Sequence, residues 1–291
     1  MRRVNSARAV WQYGEPIHAV VYYAPERRAA TDALGLKGGW MSYFGCRAAP
    51  LGAVTAPVVT ALFYNFHPDM VARAIPDAWD YAAPSALLDA RLTSMDAALR
   101  RVLGDDVLRS PAVARAGELA AAAVSGCDMS GRPMGAANQA VAEPDAPHLR
   151  LWQALTAIRE HRGDGHVARL VSGDIAPAEA LVLQAATDRS PEEGLRAHRG
   201  WSDHDWRAAT ERLAARGLVD DEMRITTAGA ELRHSIEEDT DRLAAPVVRA
   251  IGDDGAEELV RLLRPLAAVV MDGGAVPVHN NMGVPWPPTD S

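Results

Sequence analysis

Apolar residues recur at steps of three and four along much of this chain. The clearest stretches are residues 86–104, 147–162, 202–219 and 255–274. This spacing places apolar side chains on one face of an α-helix, so it predicts four amphipathic helices. Ser202 is expected to cap the third helix, and Gly217 is expected to end it. Aromatic residues make up only 5% of the chain and alanine is abundant, which favours a mainly α fold.

The helical pattern is interrupted in two places. Residues 125–146 are rich in Gly, Pro, Ser and Asn, and this composition is typical of a linker. Residues 273–291 are rich in Pro and Gly, which predicts an extended tail. We therefore expect a first half at 1–124, the linker at 125–146, a second half at 147–272 and the tail at 273–291.

Short motifs in the two halves correspond to one another in the same order. Residues 38–44 match 164–170, residues 75–79 match 202–206, and residues 92–101 match 225–234. The first match places Trp40 opposite His166. The second copy is longer between Trp206 and Ile225, which leaves room for a small hairpin. The correspondence predicts an internal duplication.

The second half resembles the winged-helix regulators of the multiple-antibiotic-resistance-regulator (MarR) family over about residues 180–270. The resemblance rests on "RLAARGLV", the polar hairpin "DDEMR" and the long stretch that begins "ITTAG" at Ile225. It implies a recognition helix, a small β-wing and then a long helix. MarR proteins are symmetric dimers, so a duplicated chain is expected to form a pseudo-dimer by itself and to be able to exist as a monomer or weak homo-oligomer.

Nearly the whole chain also resembles an actinobacterial family of winged-helix-like proteins of poorly known function. The motifs that carry this resemblance are "EPIHAVVYY", "REHRGDGHVARL", "RGWSDHDW" and "TDRLAAP". The first half is then a degenerate winged-helix-like unit in which the wing is missing. This resemblance supplies a fold but no function.

Charge argues against a nucleic-acid partner. The formal net charge is −8, whereas phosphate binding needs a basic face. The expected recognition helix opens with Asp203 and Asp205, and the expected wing contains Asp220, Asp221 and Glu222. These carboxylates lie where DNA phosphates would be, so we expect DNA binding to have been lost.

The cysteines and the N-terminus predict a soluble cytoplasmic protein. Cys46 and Cys127 form neither a CxxC motif nor a zinc spacing, which is typical of a reducing compartment. The N-terminus has no uninterrupted apolar segment of the kind found in signal peptides. No apolar run reaches the roughly 18 residues that a membrane span requires.

The stretch "REHRGDGH" at 159–166 is the most charged part of an otherwise apolar region. One interpretation is a solvated turn at a helix end. The other is that Gly163 and Gly165 permit a tight backbone and direct His166, together with His161, into a cavity. In that hypothesis Glu160, Arg162 and Asp164 orient the imidazole ring, and His166 is a catalytic candidate.

Residues of the first half are expected on the other side of that cavity. His18 and Tyr22 are four apart and share a helical face, which makes them catalytic candidates, although a core pair is the alternative. Arg47 is a candidate anchor for a carboxylate, whereas Cys46 is expected to be a small buried side chain. The full set of candidate ligand-binding residues is Trp40, Tyr43, Phe44, Arg47, Phe63, Tyr64, Trp152, Arg159 and His161.

The sequence does not identify a cofactor. The glycines at 38–39 do not form a nucleotide-binding motif, and His161 and His166 are five apart, which excludes an HExxH zinc motif. A metal or haem remains an option that would use His166, His161 or His18.

These observations favour one function and leave two alternatives. The favoured one is binding of a small apolar or aromatic ligand, with an anionic ligand as an option, between the two halves. Whether chemistry occurs on that ligand is left open. The alternatives are a ligand-responsive MarR-like transcriptional regulator and a metal- or haem-dependent protein.

Overall fold

The computed structural model describes residues 6–187, 192–280 and 282–288. Within these ranges a short 3₁₀ helix, Ala49–Leu51, accompanies sixteen α-helices. The helices are α1 Ser6–Tyr23, α2 Pro25–Ala33, α3 Gly38–Ala48, α4 Ala56–Phe63, α5 Pro68–Ala72, α6 Ala78–Tyr81, α7 Pro84–Leu103, α8 Asp105–Leu108, α9 Pro111–Ser125, α10 Pro133–Gln139, α11 Pro147–Ser172, α12 Pro177–Ala185, α13 Glu192–Arg199, α14 Asp203–Ala215, α15 Thr227–Arg249 and α16 Gly252–Asp272.

Local sequence signals explain where many of these helices begin. A proline occupies the first turn of several helices, where its missing N–H is not needed and its fixed φ is helical. The predicted cap on α14 is confirmed, because Ser202 Oγ accepts a hydrogen bond from Asp205 N at 3.1 Å. The predicted stop is also confirmed: Gly217, with φ +68°, follows the end of that helix.

The main core lies where helices of both halves pack together. α1 packs along α16 of the second half, and α11 packs along α9 of the first half. α1 and α11 also lie against each other, so each half contributes one long helix to the centre. Trp152 and Leu155 of α11 are buried there with Ile17 of α1.

The charged stretch at 159–166 is not a turn. α11 continues through it to Ser172, so the expectation of a tight turn at its glycines is wrong. Gly165 serves helix packing instead: a Cβ there would lie 2.1 Å from Arg132 Nη1 and 3.2 Å from Leu243 Cβ. Gly163 has no such neighbour, since the nearest atom to its Cβ position is Glu160 Oε2 at 3.8 Å.

Residues 125–146, which the sequence predicts to be a linker, contain α10, whose Met134 and Asn138 are buried. One further expectation is corrected by the structure. The expected β-wing is reduced to one antiparallel bridge between Val219 and Ile225, and the described part of the chain contains no β-strand.

None of the described helices is by itself both long and apolar enough to cross a membrane. The segments Gly38–Leu51 and Ala56–Phe63 reach the required length and composition only together, and they are bent by 92°.

Candidate functional site

A pocket lies where α1, α2, α3 and α7 of the first half meet α11 of the second half. Its cavity has a volume of about 20 Å³. This is enough for a water molecule, so a larger ligand requires lining side chains to move. The lining residues are His18, Val21, Tyr22, Arg27, Tyr43, Cys46, Arg47, Arg91, Trp152, Thr156 and Glu160.

Helical spacing explains how these side chains come together. Residues four apart lie above one another on a helix, so α1 directs both His18 and Tyr22 at the pocket. α11 does the same with Trp152, Thr156 and Glu160, which are also spaced by four. The predicted shared face of His18 and Tyr22 is confirmed, because Tyr22 Oη lies 3.0 Å from His18 Nε2.

A chain of buried ion pairs runs from this pocket along α11. Arg47 Nε and Nη2 donate to the two oxygens of Glu160 at 2.8 and 2.9 Å. Arg159 Nη1 donates to Glu160 at 2.9 Å, and its Nε reaches Glu15 Oε1 at 3.4 Å. Burial raises the pKa of Glu160, but Arg159 and Arg47 lower it by more, so this pKa lies well below its usual value. Glu160 is therefore a carboxylate at neutral pH.

His18 lies in a hydrogen-bond chain that fixes its tautomer. Thr156 Oγ1 donates to Trp152 O at 2.9 Å, so it accepts from His18 Nδ1 at 3.0 Å. His18 Nε2 then accepts from the Tyr22 hydroxyl. Burial, followed by the positive charge of Arg159, lowers the pKa of His18 well below 6.5. Burial also raises the pKa of Tyr22. Both side chains are uncharged at neutral pH.

Two more arginines line the pocket, and neither pairs with a described carboxylate. Arg91 Nη2 donates to Gln153 Oε1 at 3.0 Å, and its guanidinium lies 5.4 Å from the Trp152 ring. Arg27 Nε donates to Val21 O at 2.7 Å, and its Nη1 donates to Ser42. Burial lowers the pKa of both guanidiniums. The pocket lining therefore holds three arginines and one glutamate.

Aromatic side chains form the wall behind Arg47. Its guanidinium lies 4.0 Å from the Phe63 ring centre, and its Nη1 donates to Tyr43 Oη at 3.2 Å. Phe44 contacts both Tyr43 and Phe63, and Trp40 lies at the outer edge with 39% of its surface exposed. Tyr64 is separate from this wall, since its hydroxyl donates to Ile175 O. Cys46 is buried as expected, and burial raises the pKa of its thiol.

His166 and His161 do not face this pocket, so the hypothesis that they oppose His18 across one cavity is wrong. His166 Nδ1 pairs with Thr240 Oγ1 of α15 at 3.0 Å. His161 points at the α9–α10 segment, where its Nε2 lies 3.5 Å from Cys127 Sγ. The reason is helix geometry: residues 161 and 166 project from α11 in other directions than Glu160.

The three residues expected to orient His166 have separate partners. Glu160 lines the pocket directly. Arg162 Nη1 donates to Asp241 of α15 at 2.7 Å, and Asp164 Oδ2 accepts from Gly135 N of α10 at 2.8 Å. Arg162 and Asp164 therefore attach neighbouring helices to α11.

Among the described residues, no three His, Cys, Asp or Glu side chains lie close enough together to share a metal ion. Both ring nitrogens of His18 are engaged by Thr156 and Tyr22.

Sequence reasoning missed Arg27, Arg91 and Thr156. Arg91 had a recognisable signal, because it occupies the apolar face of α7 between the buried Leu87 and Met95. A charged residue at a core position of an amphipathic helix needs a partner or a function. Arg27 had no comparable signal, since α2 is short and mostly polar.

Two helices joined by a short turn lie beside the pocket region. α13 and α14 are joined by residues 200–202, where Gly200 has φ +77°. This turn is attached to the first half: His67 N donates to Arg199 O at 2.8 Å, and Trp201 Nε1 donates to Asn65 O at 2.9 Å.

The exposed side of α14 carries mixed charge. Asp203, His204, Arg207 and Glu211 are exposed along it. In the turn after α14, Arg224 pairs with Asp220 and Glu222, so the positive charge of this turn is neutralised.

The chain matches a helix-turn-helix family over residues 7–277. No curated protein and no solved structure matches it.

Proposed function

Because the chain belongs to a helix-turn-helix family, we propose that it is a ligand-binding member that holds a small organic anion in the pocket between its two halves. We infer that tight binding of duplex DNA has been lost. The aromatic wall at Tyr43 and Phe63 suits a ligand with an apolar or aromatic body.

The observation that carries this proposal is the excess of buried positive charge. Arg27, Arg47 and Arg91 line the pocket, while Glu160 is the single acid among the lining residues. Buried charge is costly unless it is neutralised, and the guanidinium group is well suited to bind a carboxylate through two hydrogen bonds. An anion beside Arg91 and Arg27 would supply the charge that Glu160 supplies for Arg47.

The geometry favours binding over acid–base catalysis by His18 and Tyr22. Their hydrogen bond is short enough for proton transfer. However, burial lowers the pKa of His18 and raises that of Tyr22, so transfer from the phenol to the imidazole is unfavourable. We infer that both residues orient the ligand.

Calorimetric titration of benzoate into the full-length protein at pH 7 tests the proposal. Saturable binding is expected. Arg91→Gln should weaken it by roughly ten- to a hundredfold, the range expected for a lost charge-assisted hydrogen bond. Arg101→Gln is the matched control, because Arg101 is on the same helix but pairs with Glu26 at the surface. Absence of binding by benzoate, acetate and phosphate, or equal affinity in Arg91→Gln, would overturn the proposal.

The relation between the halves is part of the same inference. We propose an internal duplication of MarR-like winged-helix units that forms a pseudo-dimer within one chain. The reciprocal packing of α1 on α16 and of α11 on α9 supports it, since each half gives its first long helix to the last helix of the other. The described residues contain no strand, which counts against an intact wing, and a degenerate one is proposed in its place.

Arg199 favours a second candidate function, a ligand-responsive regulator. It is the last residue of α13, and its guanidinium lies 4.6 Å from the Phe66 ring centre. Phe66 contacts Tyr43 of the pocket wall, and Arg199 Nε has no hydrogen-bond partner among the described residues. An anion in the pocket would attract this arginine and shift α13 and α14.

The regulator is tested with duplex fragments from upstream of the protein's own gene. If the protein is such a regulator, benzoate should change its affinity for DNA several-fold, and Arg199→Gln should remove this change. DNA binding that is equally weak with and without benzoate would exclude this candidate and leave the ligand-binding proposal intact.

A further inference from the structure

A second cavity lies farther along α1 and α11, toward the N-terminus of α1, and α15 forms its third side. Its volume is about 20 Å³. Most of its wall is aliphatic and includes Val10, Leu155, Ile158 and Val247. Gly14 brings α1 close to α11 here, because a Cβ at this position would lie 3.0 Å from Leu155 Cδ2.

Glu15 places a buried carboxylate in this apolar wall. Its side chain is 2% exposed, and its Oε1 is 3.4 Å from Arg159 Nε. Its Oε2 is buried and has no hydrogen-bond partner among the described residues. A buried oxygen without a partner is unfavourable, so this atom is expected to meet a polar group that enters the cavity.

We propose that this cavity is a second binding site, for a small uncharged apolar molecule with one hydroxyl group that hydrogen-bonds to Glu15 Oε2. The aliphatic wall would hold the apolar part of the molecule. The site is distinct from the anion pocket, since the residues lining one cavity do not line the other.

The charges around the cavity favour a neutral ligand. Arg159 and Arg162 both line it and are already paired, Arg159 with Glu160 and Arg162 with Asp241. A cationic ligand would be repelled by both guanidiniums, and an anionic one would be repelled by Glu15 when this residue is ionised.

A hydroxyl also suits both protonation states of Glu15. Burial raises the pKa of Glu15, so the carboxyl group is protonated at a higher pH than an exposed glutamate. A hydroxyl donates to the carboxylate and accepts from the carboxylic acid, so it makes one hydrogen bond in either state.

The walls of the cavity contain features that ease expansion. α1 and α15 carry Pro16 and Pro246 inside the helix, next to the lining residues Glu15 and Val247. An internal proline removes one backbone hydrogen bond and allows the helix to bend. Trp11 lines the cavity and is only partly buried, and its ring lies 4.7 Å from the Arg162 guanidinium, so an outward rotation of the indole would enlarge the cavity at the cost of this contact.

Three probes of similar shape separate the possible ligand classes: benzyl alcohol, protonated benzylamine and benzoate. Each is titrated into the full-length protein at pH 7 by ligand-observed NMR and calorimetry. We expect benzyl alcohol to bind more tightly than benzylamine and not to compete with benzoate. A tighter benzylamine complex, competition with benzoate, or no saturable binding of benzyl alcohol would overturn the second site.

Two variants locate the benzyl alcohol site. Glu15→Leu should weaken its binding by about tenfold, the loss of one hydrogen bond to a buried carboxyl group. Val247→Trp should fill the cavity and abolish its binding, while benzoate affinity stays unchanged because Val247 does not line the anion pocket. Unchanged affinity for benzyl alcohol in either folded variant would overturn the proposal.

Discussion

Arg47 of α3 and Glu160 of α11 form a bidentate ion pair between the two halves of the chain, with N–O distances of 2.8 and 2.9 Å. The Glu160 side chain is 2% exposed and that of Arg47 is 14% exposed. Glu160 also accepts from Arg159, so one carboxylate neutralises two guanidiniums. Glu160 therefore joins α3 of the first half to α11 through a fully buried carboxylate.

Glu160→Gln should strongly destabilise the protein. It leaves Arg47 and Arg159 without their shared carboxylate, and breaking a buried pair in this way typically costs about 3–5 kcal/mol. Urea unfolding at pH 7 measures the loss. Glu26→Gln is the control, because the Glu26–Arg101 pair lies at the surface, where such pairs contribute about 0–1 kcal/mol. Equal losses in the two variants would contradict the assigned role of Glu160.

The two glycines of α11 should respond to alanine in opposite directions. Gly165→Ala places a Cβ 2.1 Å from Arg132 Nη1, which itself donates to His161 O, so we expect a loss of about 1–3 kcal/mol. Gly163→Ala meets only ordinary contacts and should stabilise the helix by roughly 0.5–1 kcal/mol. Thermal unfolding of both variants checks the difference, and the same sign in both would refute the packing role of Gly165.

The protonation of His161 and that of Asp164 should change the free energy of unfolding in opposite directions as the pH falls. Burial and then Arg132 lower the pKa of His161 from 6.5 to about 4. Between these values the unfolded chain binds a proton that the folded chain does not, so stability falls as the pH drops from about 6.5 to about 4. Burial raises the pKa of Asp164 from 3.8 to about 6. Between these values the folded chain binds a proton that the unfolded chain does not, so this group stabilises the protein as the pH falls from about 6 to about 3.8.

Unfolding measurements between pH 7 and pH 4.5 separate these two contributions. His161→Asn should flatten the dependence of stability on pH, whereas Asp164→Asn should make it steeper. A steeper profile for His161→Asn, or a flatter one for Asp164→Asn, would show that the burial of these groups does not control their protonation.

Duplex DNA should bind weakly at physiological salt. Asp203 and Glu211 are exposed on α14, and Asp221 and Glu222 are exposed in the turn before α15. These acids would oppose phosphate binding in the orientation that helix-turn-helix proteins use. Fluorescence anisotropy should detect no sub-micromolar complex with the protein as it is. Replacing these four acids with the corresponding amides should increase the affinity for DNA, and this affinity should fall with added salt. Tight DNA binding by the unaltered protein would contradict the expectation.

The protein should be able to exist as a monomer. The packing of α1 on α16 and of α11 on α9 joins the two halves within one chain, so this contact needs no second copy of the protein. Light scattering after size exclusion should give the mass of one chain, 31.1 kDa, across a range of concentrations. A dimer that persists on dilution would contradict the prediction that the protein can exist as a monomer.

Part of the site followed from the sequence because helical spacing is a local property. His18 and Tyr22 were placed on one face by their separation of four, and Arg47 was identified as a charge in an apolar segment. Glu160 was expected to act through His166, whereas it lines the pocket itself. Arg91 was missed although it stands on the apolar face of α7, which was the available signal.

The sequence by itself predicted four of the helices, since apolar periodicity and Ser202 as a cap act within a few residues. The resemblance that the sequence carries also predicted a family of helix-turn-helix type, which the match over residues 7–277 confirms. Only the tertiary structure decided which faces of α11 meet which partner. His166 contacts α15 and Glu160 contacts α3 because these two helices lie on different sides of α11. Periodicity specifies that a face is buried, but the identity of the neighbour depends on packing between segments distant in the chain.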